Sequence, residues 1–508
     1  MREFGYLLRA EWTKFRTLRG QLVAATAAAV LVVLLGAVFA AGNHSSCSEG
    51  PKEVACPTPP LGPGGEAVAD TFYFVHRTLS GDGTVTARLT SLTGVITYPP
   101  PNHDTIVPRV EGLARAGLMV KAGARPGASY AALAMTGTHG VRLAWDFTHE
   151  VAGAPGRVSG AAPRWLRLVR AGDTLTGYES VDGHRWTRVG VAHPAALPRS
   201  VQVGLFVSSP GDVTVEQGSL GGSIEQLRFT QATGVFDRVS VAGTAAGGDW
   251  RRDYVGGHAA TDWEKYHRPP GLVASGDRLT ISGSGEIAPS TDGFHLEGVL
   301  SGLYVGLIVL IVVAVLAVTA EYRRGVIATT LVAGPRRGTV LAAKAVVVGA
   351  VGFVAGLVAT AVTVPVGVHV LRGNGIYVLP VPLGTELRVV VGTAAVVGLV
   401  SVLALALGAV FRRGPVAVIA AVAVTVLPVL LATASFVPEG LSRWLLRITP
   451  AAGFAVQQSI PVYPNAVGHH SPVDGYYPLP PWAGFAVLCG FAGLALALAG
   501  YLLRRRDA

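Results

Sequence analysis

The sequence predicts a polytopic α-helical membrane protein, with six transmembrane helices and an extracytoplasmic antiparallel β-sandwich domain in the first outer loop. Three observations predict it. Of the 508 residues, 50% are hydrophobic and only 14% charged, whereas soluble domains carry about 25% charged residues. Six apolar runs reach the roughly 20 residues that a spanning helix needs. Between the first and second runs, residues 42–296 change texture to short alternating stretches with Gly and Pro turns, the pattern of closely spaced strands. The same composition excludes a collagen, a coiled coil and a disordered chain. Three cysteines are too few for a disulfide scaffold.

Residues 1–20 place Phe4, Leu7, Leu8, Trp12, Phe15 and Leu18 on one helical face, with Arg9, Lys14 and Arg16 off it. This is the pattern of an amphipathic helix lying in a membrane interface. The first span, 21–41, follows a basic stretch as a signal peptide would. It is long for the apolar region of one, so it reads as a retained anchor. The remaining spans are 298–320, 345–371, 387–410, 416–436 and 482–503. The third contains Pro365 and a GxxxG at Gly352 and Gly356, and the fifth contains Pro428. Residues 321–344 form a short basic loop. Residues 441–460 are amphipathic, too polar to span and broken by Pro450, and read as a re-entrant segment before the sixth span.

Orientation follows from the basic residues. Fifteen of them flank the spans on alternate sides: five in 2–19, five in 323–344, Arg412 and Arg413, and Arg504 to Arg506. Only Glu3, Glu11, Glu321 and Asp507 accompany them, so that side holds +11 and the remainder of the chain −1 of the net +10. The basic ends are therefore expected in the cytoplasm, with both termini, and 42–296 outside. The charge is topological, and nucleic acid is not an expected partner.

Within the outer segment, Thr84–Thr90, Val141–Asp146, Trp165–Arg170 and Val201–Ser208 alternate with period two, and Asp182-Gly183 is a hairpin signal. Residues 249–296 read as a stalk or an additional sheet. Cys47 and Cys56 are a candidate disulfide in an oxidising compartment, two free thiols being the alternative. GLMVKAG at 117–123, PRWLRLVRAGDTLTGYESVDGHRWTRVG at 163–190 and VGLFVSS at 203–209 resemble the concanavalin A-like lectin/glucanase sandwich over residues 70–241. Glycosidases of that fold need two carboxylates about 5 Å apart in one cleft. The nearest cluster, Asp212, Glu216 and Glu225, has neither that spacing nor that strand, so no catalytic residue is expected. Trp145, Tyr178 and Trp186 are candidate glycan contacts, with ordinary core as the competing reading. The histidines are scattered, with His469-His470 the only adjacent pair and no metal motif beside it.

RAEWTKFRTLRG at 9–20, AEYRRGVIATTLVAGPRRGTVLAAK at 320–344, ITPAAGFAVQQSIP at 448–461 and the closing PWAGFAVLCG…LLRRRDA resemble an actinobacterial ABC type-2 exporter permease. That resemblance covers both membrane parts. It implies six spans per subunit, an interfacial N-terminal helix, a coupling helix after the second span and a half-inserted element before the sixth. It also implies that Glu321, Arg323, Arg324, Gly325, Arg336 and Arg337 form the ATPase-coupling loop. Most members keep the first outer loop short, and here it holds a domain. No GxxxxGK[ST] occurs, and none of the five lysines follows a glycine. ATP hydrolysis is therefore expected in a separate cytoplasmic ABC ATPase subunit, with a second permease copy, identical or different, completing the pathway. No cofactor is expected. The alternative is a membrane-anchored extracytoplasmic glycan-binding or sensor protein, in which the sandwich is the working part.

Overall fold

The computed structural model describes residues 2–49, 51–54, 56–98, 105–217, 223–243, 246–257, 269–323, 337–434, 437–468 and 470–505. Helices α1 (Arg2–Thr17) and α2 (Arg19–Gly42) precede a β-rich region. After it come α3 (Leu303–Arg323), α4 (Arg337–Gly373), α5 (Leu383–Phe411), α6 (Gly414–Thr425), α7 (Leu427–Ala432), α8 (Glu439–Ile448) and α9 (Pro481–Arg505). Among the described residues six helices are long and apolar enough to cross a membrane: α2, α3, α4, α5, α6 with α7, and α9. The apolar residues of these helices form one continuous core.

Close approach of the helices depends on small residues. Gly352 and Gly356 of α4 face α5, where a Cβ on Gly352 would stand 3.3 Å from the Gly398 Cα and one on Gly356 3.1 Å from the Ala394 Cα. Two backbones thus meet where the GxxxG motif removes side chains. The fifth apolar run is two helices rather than one. Pro428 has no N–H to give the Val424 carbonyl, and the helix restarts at Leu427.

α4 begins at Arg337, earlier than the expected 345, because Val340, Leu341 and Ala343 bury an apolar face that extends the helix toward its N-terminus. Much of the expected 321–344 loop is thus helical at both ends, and 324–336 lies outside the described residues. The 441–460 segment consists of α8 and a 3₁₀ turn, Pro450–Gln457. Thr449 caps the turn, its hydroxyl accepting from the Ala451 N–H at 3.3 Å. Every residue of the turn is buried, and Gly453 lies against Leu488 of α9. The opposite face of α8 exposes Leu441, Trp444 and Ile448.

The β-rich region holds two large antiparallel sheets. The first contains β4 (Phe72–Ser80), β7 (Arg115–Lys121), β8 (Tyr130–Thr136), β9 (Val141–Trp145), β10 (His149–Ala152), β14 (Ser200–Ser208) and β17 (Ala246–Val255), in the order β10-β9-β8-β7-β14-β4-β17. The second contains β5 (Gly83–Thr97), β11 (Arg164–Ala171), β12 (Thr174–Ser180), β13 (Thr187–Ala192), β16 (Ser223–Gly243), β18 (Gly271–Ser275) and β19 (Arg278–Gly283), ordered β13-β12-β11-β5-β16-β19-β18, with β6 (Ile106–Val107) paired to β5 and β15 (Asp212–Gln217) paired to β16 off that path. Leu118, Val120, Leu133 and Val203 from the first sheet share one apolar core with Leu89, Leu166, Leu175 and Ile281 from the second. The Asp182-Gly183 turn follows β12, with Asp182 Oδ1 accepting the His184 and Arg185 N–H groups, each at 2.8 Å.

Residues 249–296 differ from the expected stalk or extra sheet. β17 joins the first sheet, β18 and β19 join the second, and β20 (Ile287–Pro289) pairs with β3 (Val68–Asp70). The reason is packing: Ile281 is fully buried in the core between the two sheets. Cys47 and Cys56 are disulfide-bonded, with Cα atoms 5.0 Å apart.

Candidate functional site

α1 is amphipathic, and its apolar face is used. Phe15 is buried against Val313 of α3 and Val347 of α4. Glu11 lies one turn before Phe15, on the same face, so packing the ring carries a carboxylate into the interior. Glu11 is only 6% exposed. Its charge is met at both oxygens, with Lys14 Nζ at 3.2 Å from Oε1 and Lys344 Nζ at 2.7 Å from Oε2. Lys344, itself buried in α4, also reaches Glu321 of α3 at 2.8 Å. Lys14 closes the set at 3.5 Å from Glu321.

Two acids and two lysines thus alternate among three helices that are distant in sequence. Lys14 is pulled down by partial burial, but Glu11 and Glu321 outweigh this and hold its pKa above the ordinary value. Net neutrality matters here: deleting one partner of a buried ion network leaves a stranded charge, which costs about 3–5 kcal/mol. A cavity of about 250 Å³ opens beside the network, walled by Phe15, Gln21, Leu316 and Val348.

The network stands at both ends of segment 324–336, with Glu321 before it and Lys344 after it. Of the six expected coupling residues, Glu321 is in the network. Arg323 ends α3 with an exposed side chain, and Arg337 opens α4 and donates from Nη1 to the Leu503 carbonyl at 2.8 Å. Arg324, Gly325 and Arg336 lie outside the described residues. Arg412, the left-handed C-cap of α5, sets its guanidinium 4.9 Å from the ring centroid of Tyr322. Glu11, Lys14 and Lys344 were not among the expected site residues. The sequence does hold a signal for them: Glu11 and Glu321 are two of just four acids on the basic side, and Lys344 is the sole lysine beyond residue 265.

At the other end of the helices the β-rich region is tied down by polar contacts. The Phe294 N–H donates to the Tyr377 carbonyl at 2.8 Å, and Asn465 Nδ2 donates to the Phe147 carbonyl at 2.8 Å. Glu286 Oε1 accepts the Val467 N–H at 2.6 Å. A cavity of about 770 Å³ lies at this junction, bordered by Glu286, Asp292, Phe294, Glu297, Asp474 and Tyr476. Burial pushes the Glu286 carboxyl up to about 7, against the Val467 hydrogen bond that favours its charged form. Burial pushes the Tyr476 hydroxyl up to about 12.

The three candidate glycan contacts divide between the sheets. Trp145 ends β9, packs against the core between the sheets and stacks on His149 with centroids 5.0 Å apart. Tyr178 of β12 pairs across strands with Arg167 of β11, whose guanidinium lies 3.8 Å from the Trp186 ring centroid. Tyr178 and Trp186 therefore gather around one arginine, and Trp145 does not join them. Asp212 is engaged by Arg109 at 3.0 Å and by Arg228 at 2.7 Å.

No family model matches the sequence, and no curated protein matches it. Among solved structures, a functionally unknown protein from Saccharomyces cerevisiae aligns at 15% identity over 40% of this chain and 93% of its own, with a TM-score of 0.21. A scytalido-glutamic peptidase with a transition state analog inhibitor aligns at 10% identity over 42% of this chain and 98% of its own, with a TM-score of 0.25. A scytalido-glutamic peptidase with a peptide-based analog gives 10% identity, the same coverage and a TM-score of 0.24. These scores carry no functional argument.

Proposed function

We propose that this chain is the permease subunit of an ATP-driven ABC exporter, embedded in the cell membrane with its basic helix ends in the cytoplasm. It forms half of a translocation pathway with a second permease copy and couples to a separate cytoplasmic ATPase. The observation that carries the reading is the Glu11–Lys14–Glu321–Lys344 network. An ATPase docked on 324–336 would push on α3 and α4 where they enter and leave that segment. A buried charge network that locks both ends to α1 would pass the push to the membrane interface as one rigid movement. The outer domain is a lectin-like β-sandwich on the extracytoplasmic side.

The test is affinity purification of the full chain from its native membrane, followed by peptide identification. A copurifying ATPase with a P-loop supports the reading, and its vesicle-stimulated ATP hydrolysis should fall in Arg323→Glu. If no ATPase copurifies and Arg323→Glu leaves export unchanged, the reading is wrong. The arrangement of Tyr178 and Trp186 around Arg167 favours a second reading for the outer domain, glycan contact. In a glycan array probed with the full chain in detergent, binding lost in Trp186→Ala supports it, and no binding by the parent removes it.

A further inference from the structure

Lys121 and Asp70 lie deep in the β-rich region. Both side chains are 0% exposed, with Lys121 Nζ 2.7 Å from Asp70 Oδ2. Nζ also donates to the Ala128 carbonyl at 2.8 Å. The rings of Phe72, Tyr130 and Phe147 wall the amine, with centroids 5.7, 5.2 and 5.6 Å away. Asp70 Oδ2 accepts the Gly127 N–H at 2.8 Å, but Oδ1 is buried with no hydrogen-bond partner among the described residues.

This is a poor arrangement for a structural ion pair. A buried pair offsets its desolvation only when its remaining lone pairs are satisfied, and here one whole carboxylate oxygen is left bare. Burial moves the two groups in opposite directions, with Asp70 raised and Lys121 lowered, against their mutual attraction. Burial thus works against the charged form of each group, while the two are held in contact and walled off by rings.

We propose that Lys121 and Asp70 are joined by an intramolecular amide bond that forms within the folded chain. The ammonium first passes a proton to Oδ2 along their hydrogen bond, giving amine and acid. The amine lone pair then adds to Cγ, forming the C–N bond. A second amine proton moves to the Oδ2 hydroxyl, the C–O bond breaks and one water leaves, with Oδ1 remaining as the amide oxygen. No oxidant or co-reactant is consumed. Fixed juxtaposition lowers the barrier: well-oriented intramolecular partners reach effective molarities of about 10⁵–10⁸ M. The link fastens β3, where the chain enters the domain, to β7 in the middle of the first sheet.

The test is the mass of the full chain, purified in detergent and reduced to open Cys47–Cys56. The reduced protein should weigh one water less than its sequence. Tryptic digestion should yield a branched species joining peptide 53–77 to peptide 116–142, because an acylated Lys121 is not cleaved and Arg125 is followed by proline. Lys121→Arg should restore the full sequence mass and release the two arms separately. If the reduced parent has its full mass and gives a peptide ending at Lys121, the proposal is overturned. That parent measurement decides the matter whether or not the variant folds.

Discussion

At the scale of single residues, buried charge dominates what can be predicted. Lys344→Met removes the amine that serves both Glu11 and Glu321, leaving Lys14 between one buried and one half-buried carboxylate. A loss of about 3–5 kcal/mol is expected, read as a lower melting temperature of the detergent-solubilised chain. Adding Glu11→Gln to Lys344→Met should recover part of the loss, because the stranded charge goes with it. If the two effects simply add, the residues do not act as one network. Glu286 makes a prediction of opposite character. Its folded-state pKa of about 7 lies above its ordinary 4.5, so the folded chain holds a proton that the unfolded chain releases. The stabilisation is complete below the unfolded value and is lost as pH rises through about 7. The swing is on the order of 3 kcal/mol. Glu286→Gln should therefore flatten the melting temperature between pH 5 and pH 7 and leave the variant the more stable above pH 7. Parallel profiles for parent and variant would show that Glu286 is not the titrating group.

At the scale of elements, the six long apolar helices were readable because each is a long, nearly uncharged run. α4 starts early where packing reaches beyond its run, whereas α3 starts at Leu303 rather than 298 because Leu296–Leu300 winds as a 3₁₀ turn, and α7 ends at Ala432 rather than 436. Arg337–Lys344 looks like loop by charge, but every third or fourth residue is apolar and buried, so α4 starts early. Neither charge cluster was readable, for a different reason. Glu11, Glu321 and Lys344 come from three helices that meet only in three dimensions. Lys121 ends a strand whose alternation suggests a solvent face, but the first sheet is covered on both faces. Leu118 and Val120 enter the core between the sheets, while Met119 packs with Phe72, Phe74 and Phe147 on the other side. The Gly352 motif, by contrast, was readable and has a packing consequence. Gly352→Ile would drive a branched side chain into Ser401 and the Gly398 backbone, and overpacking of this kind costs roughly 1–3 kcal/mol. The same change at Gly493 of α9, where a Cβ meets nothing within 4 Å, should leave the melting temperature nearly unchanged. Equal effects at the two positions would remove the α4–α5 contact as the cause.

At the scale of the whole molecule, the decisive quantity is the side on which the charge lies. Contacts bring the basic ends together: Glu11 of α1 meets Lys344 of α4, and Arg337 meets the end of α9 through the Leu503 carbonyl. The β-rich region and the 286–300, 372–381 and 458–478 connections gather at the opposite end, with Ala67, Leu379 and Ile460 packed in one cluster. Basic residues favour the cytoplasmic side of a bilayer, so the proposed membrane arrangement calls for the basic ends inside. Single cysteines read it out, once Cys489, the free thiol of the structure, is replaced by alanine. A membrane-impermeant maleimide should label His184→Cys, on the exposed turn after β12, in intact cells. It should label Arg413→Cys, between α5 and α6, only after permeabilisation. The reverse pattern would invert the orientation and with it the proposed ATPase contact at 324–336. Labelling of both sites in intact, sealed cells would refute the membrane-spanning arrangement itself.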